Sequence, residues 1–264
     1  MTKFSIENLF AVKDKVALVT GGSRGIGKMI AQAYVENGMR VYISSRKKEA
    51  CDATAEELSE FGFCKSVPAD VTSAEGRGAL VSTITEQEES LDVLVNNAGA
   101  SWGASFESYP EKGYDKVVDV NLKAPFFLTQ QFIPLLARNS STLNPSRVIN
   151  IGSIDGLRVA GTANFAYGPS KAAIHHLTKN LAVVLGGKGI TVNAVAPGPF
   201  ESKMTEELLK HFEDHINKSC PLGRIGAPED MAGVALYLAS AASAYVNGAV
   251  IPVDGGIWLA GHVA

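Results

Sequence analysis

Apolar residues follow two rhythms along this chain. Short, almost uninterrupted apolar runs at 15–20, 40–45, 63–69, 91–96, 147–152, 190–196 and 249–253 have strand length. Between them lie longer stretches with apolar residues at helical spacing, at 25–37, 48–61, 73–90, 114–138, 166–185, 205–219 and 228–239. The first of these ends at Gly38, a common helix stop. Strands that are apolar on both faces belong to a sheet covered on both sides. Strict alternation with helices predicts a parallel α/β sheet with right-handed crossovers, about seven strands in a Rossmann-type doubly wound fold. Ligands of such sheets sit beyond the carboxyl ends of the strands, where strand order reverses.

Composition narrows the class. The 264 residues have no linker-like break, so one domain spanning 1–264 is expected. Net charge is −3 with both signs scattered, which excludes a clustered basic face for nucleic acid. Residues 231–253 carry no charge over a bilayer-spanning length. Ser240, Ser243, Asn247, Gly248 and Pro252 mark them instead as a helix, a turn and a strand, so no membrane span is expected. The N-terminal residues Lys3, Glu7, Lys13 and Asp14 do not read as a secretory signal. Cys51, Cys64 and Cys220 match no metal spacing and no disulfide framework, as in a reduced intracellular protein with no bound metal. Glycine is in excess, at 26 residues, so its placement is informative.

Three glycines fall directly after the first strand, in Thr20-Gly21-Gly22-Ser23-Arg24-Gly25-Ile26-Gly27. Gly21, Gly25 and Gly27 permit a tight turn and close approach to a pyrophosphate, and the helix that follows aims its free N–H groups there. NAD-binding turns of this kind place an acidic residue about 20 positions on, for the ribose hydroxyl. Here the second strand ends Ser45-Arg46, with no Asp or Glu from 40 to 48. Arg46 and Arg24 together suit a 2′-phosphate, so NADP(H) is expected.

Tyr167 and Lys171 stand four apart on one helix face, and Ser153 follows the fifth strand. Tyrosine titrates near 10, too high for a neutral-pH proton donor, and a neighbouring ammonium lowers it. A serine hydroxyl holds a carbonyl oxygen. The three together suit hydride chemistry at a carbonyl. His175 and His176 read as ordinary helix residues. Trp102 and Phe106, after the fourth strand, either line a substrate cleft or merely pack.

Together these motifs resemble the short-chain dehydrogenase/reductase family over residues 12–259. Within it the chain is most similar to 3-oxoacyl-acyl-carrier-protein reductases of the rhamnolipid-biosynthesis type, on stretches such as 100–103, 107–110, 147–153, 167–171 and 254–256 and on the long segment 138–145. The resemblance implies a dinucleotide-binding part at about 12–152 and a catalytic and substrate part at about 153–259. It implies an adenine contact at Asp70 and Val71 and a strand end beside the cofactor at Asn97, Ala98 and Gly99. It adds Asn121 to a catalytic tetrad with Ser153, Tyr167 and Lys171, and gives Lys171 the nicotinamide ribose. Pro197 and Gly198 fall beside the nicotinamide, with Ser202 where the family usually has Thr. Residues 200–219 match the mobile lid, although their charges equally suit a solvated helix. The implied protein is a cytoplasmic NADPH-dependent reductase of a 3-oxoacyl thioester. Its substrate would be a small molecule or a thioester carried on acyl carrier protein, docked by Lys123, Arg158 and Lys179. A homotetramer would form through 114–138, 166–185 and the last strand. A reductase of a non-acyl ketone, and a catalytically idle dinucleotide-binding module, are the alternatives.

Overall fold

A computed structural model describes residues 4–159, 163–203 and 205–260, and omits the side chains at 207–209 and 212. Met204 and those side chains of the expected lid therefore lie outside the described residues. The chain runs α1 (Ile6–Leu9), β1 (Val16–Thr20), α2 (Gly25–Glu36), β2 (Arg40–Ser44), α3 (Lys48–Ser59), β3 (Cys64–Ser66), α4 (Ala74–Gln87) and β4 (Val93–Asn96). It continues α5 (Glu111–Val118), α6 (Ala124–Leu136), β5 (Ser146–Ile151), α7 (Tyr167–Gly186), β6 (Ile190–Pro197), α8 (Glu206–Ser219), α9 (Pro228–Ala239) and β7 (Val250–Val253). The seven strands form one parallel sheet in the order β3-β2-β1-β4-β5-β6-β7. The order reverses between β1 and β4, and the glycine turn leaves β1 at that point.

The uninterrupted apolar strands divide their residues between two cores. Ala17 and Val19 of β1, Val41 and Ile43 of β2, Val93 and Val95 of β4, and Ile149 and Ile151 of β5 pack under α2, α3 and α9. Val16, Leu18, Tyr42, Leu94 and Val148, the alternate positions, pack under α4, α6 and α7. Each aliphatic side chain buried in this way stabilises by about 1.5–3 kcal/mol.

Two elements differ from the sequence expectation. The third strand, expected over 63–69, is regular only at Cys64–Ser66. Phe63 O still accepts from Val41 N, Val67 N still donates to Ile43 O of β2 and Ala69 N to Ser45 O just past it, but Pro68 between them has no N–H for the ladder. The long helix expected over 114–138 is two helices, α5 and α6, joined by a single π-turn at Asp119–Lys123. Among the described residues, no helix is long and apolar enough to cross a membrane, and no cluster of His, Cys, Asp or Glu is arranged to hold a metal.

Candidate active site

At the switch point the carboxyl ends of β1, β2, β4, β5 and β6 open into a cleft of about 660 Å³. The glycine turn forms its floor. Gly21 and Gly25 have φ of 65° and 52°, where a side chain is strained. A Cβ on Gly27 would stand 2.3 Å from Gly21 O, so no larger residue fits. Arg24 precedes α2 without a side-chain cap, which leaves the first N–H groups of the helix for an incoming anion. Asn97 fixes this turn from β4. Its Nδ2 donates to Thr20 O at 2.9 Å and Gly21 O at 3.1 Å, and Thr20 Oγ1 accepts from Asn97 N and Ala98 N. Asn97 thus acts on the turn as well as lining the cleft.

Ser23, Arg24, Ile26, Ser45, Arg46, Asp70, Val71, Ala98, Gly99, Pro197, Gly198 and Ser202 all reach the same cleft, with Ser153, Tyr167 and Lys171 at its inner end. Burial acts to raise the Asp70 carboxyl, but hydrogen bonds from Thr72 and the nearby Arg46 guanidinium outweigh it and hold Asp70 below the usual carboxylate range. Ser202 shares hydrogen bonds with Thr205 and closes over the turn, since a Cβ on Gly25 would approach its Cβ to 3.1 Å. Lys47, Thr72, Lys116, Lys203 and Thr205 also line the cleft, outside the residues that the motifs mark. Lys47 was legible as the neighbour of Arg46. Lys116 and Lys203 were not, because only the fold brings α5 and the segment before α8 to this edge.

Helix α7 carries Tyr167 and Lys171, and a buried polar ladder fixes where it lies. Asn96 of β4 donates to Asn150 of β5 at 2.9 Å, and Asn150 donates to Thr178 of α7 at 2.9 Å. The Ser153 hydroxyl accepts from Asp155 N at 3.1 Å and lies beside the Tyr167 phenol. Burial pushes that phenol up to about 12, against the pull of Ser153. The expected lowering by Lys171 is absent: the ammonium stands 5.5 Å from the ring centre and donates to Ile151 O at 2.7 Å. Burial in turn lowers Lys171 to about 8. Asn121 sits in the π-turn, buried behind the cleft wall. Its Oδ1 accepts from Ala100 N, and its Nδ2 donates to Ala100 O and Ser170 Oγ, all within 3.0 Å. The extra residue of a π-turn re-aims one side chain, and π-turns cluster at functional sites.

Trp102 and Phe106 separate. The Trp102 ring packs on Gly113 and lies under Lys116 Nζ, whereas Phe106 is 74% exposed. His175 is buried, with its ring against Gly152. Lys123 pairs with Asp119, and Arg158 donates to Ile257 O, so two of the three expected docking cations are already engaged.

Residues 21–258 match a family model described as enoyl-(acyl carrier protein) reductase. The rhamnolipids biosynthesis 3-oxoacyl-[acyl-carrier-protein] reductase of Pseudomonas aeruginosa is 49% identical over 95% of this chain and 98% of that protein. The short-chain dehydrogenase/reductase PhomF of Diaporthe leptostromiformis is 35% identical over 94% of this chain and 93% of its own length. Among solved structures, the Pseudomonas aeruginosa RhlG/NADP active-site complex superposes with a TM-score of 0.92 at 49% identity, covering 95% of this chain and 98% of that one.

Proposed function

This chain belongs to the short-chain dehydrogenase/reductase family, and on that premise we propose that it is an NADPH-dependent oxidoreductase that reduces a 3-oxoacyl thioester to the 3-hydroxyacyl thioester. The observation that carries this reading is the meeting in one cleft of a glycine turn with free helix N–H groups, two guanidiniums and the Ser153, Tyr167 and Lys171 cluster. Relatives named as 3-oxoacyl reductases support carbonyl reduction, and the relative bound to NADP supports the cofactor.

The cleft residues fit a dinucleotide phosphate. Gly21, Gly25, Gly27 and the uncapped start of α2 would hold the pyrophosphate, with Arg24 and Arg46 at the 2′-phosphate. When bound, the reduced nicotinamide supplies the hydride. Ser153 Oγ donates to the substrate carbonyl oxygen and polarises it. The Tyr167 hydroxyl gives its proton to that oxygen as the alkoxide forms. The phenolate left behind, which burial disfavours, is favoured by Ser153, and Lys171 would hold the nicotinamide ribose beside it. Asn121, committed to Ala100 and Ser170, holds the wall along which the proton is replaced. Exposed apolar residues on α6 and α7 and beyond α9, namely Phe126, Val183, Val184 and Tyr245, support assembly of several copies through these faces.

The test follows NADPH oxidation with 3-oxoacyl thioesters, diketones and sugar ketones. Wild-type protein is expected to prefer the thioesters. Tyr167→Phe should lose turnover at least a hundredfold while binding NADPH nearly as before, in keeping with loss of a general acid. Retention of more than about a tenth of the wild-type rate would remove Tyr167 from this role.

A further inference from the structure

We propose that the exposed ring pair Phe106–Phe165 is a platform for the aliphatic chain of the substrate and sets a preference for long over short 3-oxoacyl groups. This rests on the carbonyl-reductase reading above. The two rings meet edge to face, with centres 5.4 Å apart, and Tyr109 adds a third ring 5.9 Å from Phe165. Phe106 is 74% exposed and Phe165 44%, so the pair is not part of either core. It belongs to the two loops that build the inner cleft. The loop after β4 passes through Gly99, Ala100 and Ser101 of the cleft wall before reaching Phe106. Phe165 lies two residues before Tyr167. Ala104 N donates to Ala163 O at 3.0 Å and joins the two loops, so the ring pair and the cleft residues are carried by the same two segments.

The chemistry of that wall selects its occupant. Neither 97–106 nor 163–170 contains a charged residue. Arg158, on the loop after β5, is tied to Ile257 O. Within those two stretches a sugar acid meets no guanidinium or ammonium. A chain of methylenes meets exposed aromatic surface, and each methylene taken from water is worth about fourfold in affinity.

The experiment compares wild type, Phe106→Ser, Phe165→Ser, the double variant and Phe165→Leu on 3-oxobutanoyl-CoA and 3-oxooctanoyl-CoA. In parallel, calorimetry measures binding of 3-hydroxyoctanoyl-CoA. The double serine variant should lower the ratio of kcat/KM for the long over the short thioester about tenfold, through KM, with a matching loss of calorimetric affinity. Phe165→Leu should keep the ratio within about threefold, because it retains an apolar surface. An unchanged ratio in the double variant, with wild type active on both thioesters, overturns the platform and leaves the reductase reading standing. Wild type inactive on both thioesters overturns the reading and the platform together. Unchanged thermal melting of Phe106→Ser, expected for so exposed a ring, excludes misfolding as the cause of a shifted ratio.

Discussion

At Lys171 an ammonium is buried with 4% exposure and donates to Ile151 O, and burial lowers its pKa from 10.5 to about 8. Below pH 8 the folded and unfolded chains both carry the proton, and the folded state bears the full cost of burying the charge. Between pH 8 and 10.5 the unfolded chain binds a proton that the folded chain has lost, so stability rises with pH across that window. The shift corresponds to about 3 kcal/mol at pH 7, and loss of the Ile151 hydrogen bond returns about 1 kcal/mol. Lys171→Met should therefore be inactive yet more stable at pH 7, by about 2 kcal/mol. Its advantage should shrink as pH is raised from 8 toward 10.5. Denaturant titrations at pH 7, 9 and 10 check this, and a variant no more stable than wild type at pH 7 would refute it. The positions of Tyr167 and Lys171 were legible from their four-residue spacing. The direction of their pKa shifts was not, because both follow from burial by β5 and the loop after it.

Helix α9 ends at a cluster of donors that its own sequence does not announce. Arg147, on β5 and only 1% exposed, donates through Nε to Leu238 O at 3.1 Å and through Nη2 to Ser240 O at 2.9 Å, and bonds Pro145 O as well. Lys15 Nζ donates to Ala239 O at 2.8 Å. The last carbonyls of α9 thus receive two cations, favourable at the negative end of a helix. Burial lowers Arg147 to about 10, with Asp92 pulling the other way. Arg147→Met removes all three hydrogen bonds and strands buried carbonyls. We expect a loss of roughly 3 kcal/mol or more in chemical denaturation, with the cleft residues untouched. A loss below about 1 kcal/mol would mean that the carbonyls find other donors. The π-turn makes the same point about elements. The periodicity of 114–138 reads as one helix because a single inserted residue barely disturbs it. Packing of α5 and α6 on different partners decides where the extra residue is accommodated, and Asn121 reaches Ala100 as a result.

Across the whole molecule, one side of the sheet order reverses at β1 and β4, and every group expected to touch a dinucleotide gathers there. Ligand binding to the folded chain alone raises its stability by about 2.7 kcal/mol at a hundred times Kd. NADPH should raise the melting temperature progressively with concentration, NADH much less, and Arg46→Ala should remove most of the difference. Equal shifts with both cofactors would set aside the guanidinium argument. The seven strands, the glycine turn and the Ser153, Tyr167 and Lys171 constellation were readable from the chain because they rest on local rules: apolar runs of strand length, turns that admit only glycine, and the four-residue pitch of a helix. Other features needed the fold, since they join residues far apart in sequence. Among them are the staple from Asn97 to the glycine turn, the ladder from Asn96 through Asn150 to Thr178, the arginine cap on α9, and the meeting of Phe106 with Phe165. The sequence by itself determined the layers and the chemistry at the strand ends. Tertiary packing alone decided burial, and through burial the charge states and the outer wall of the cleft.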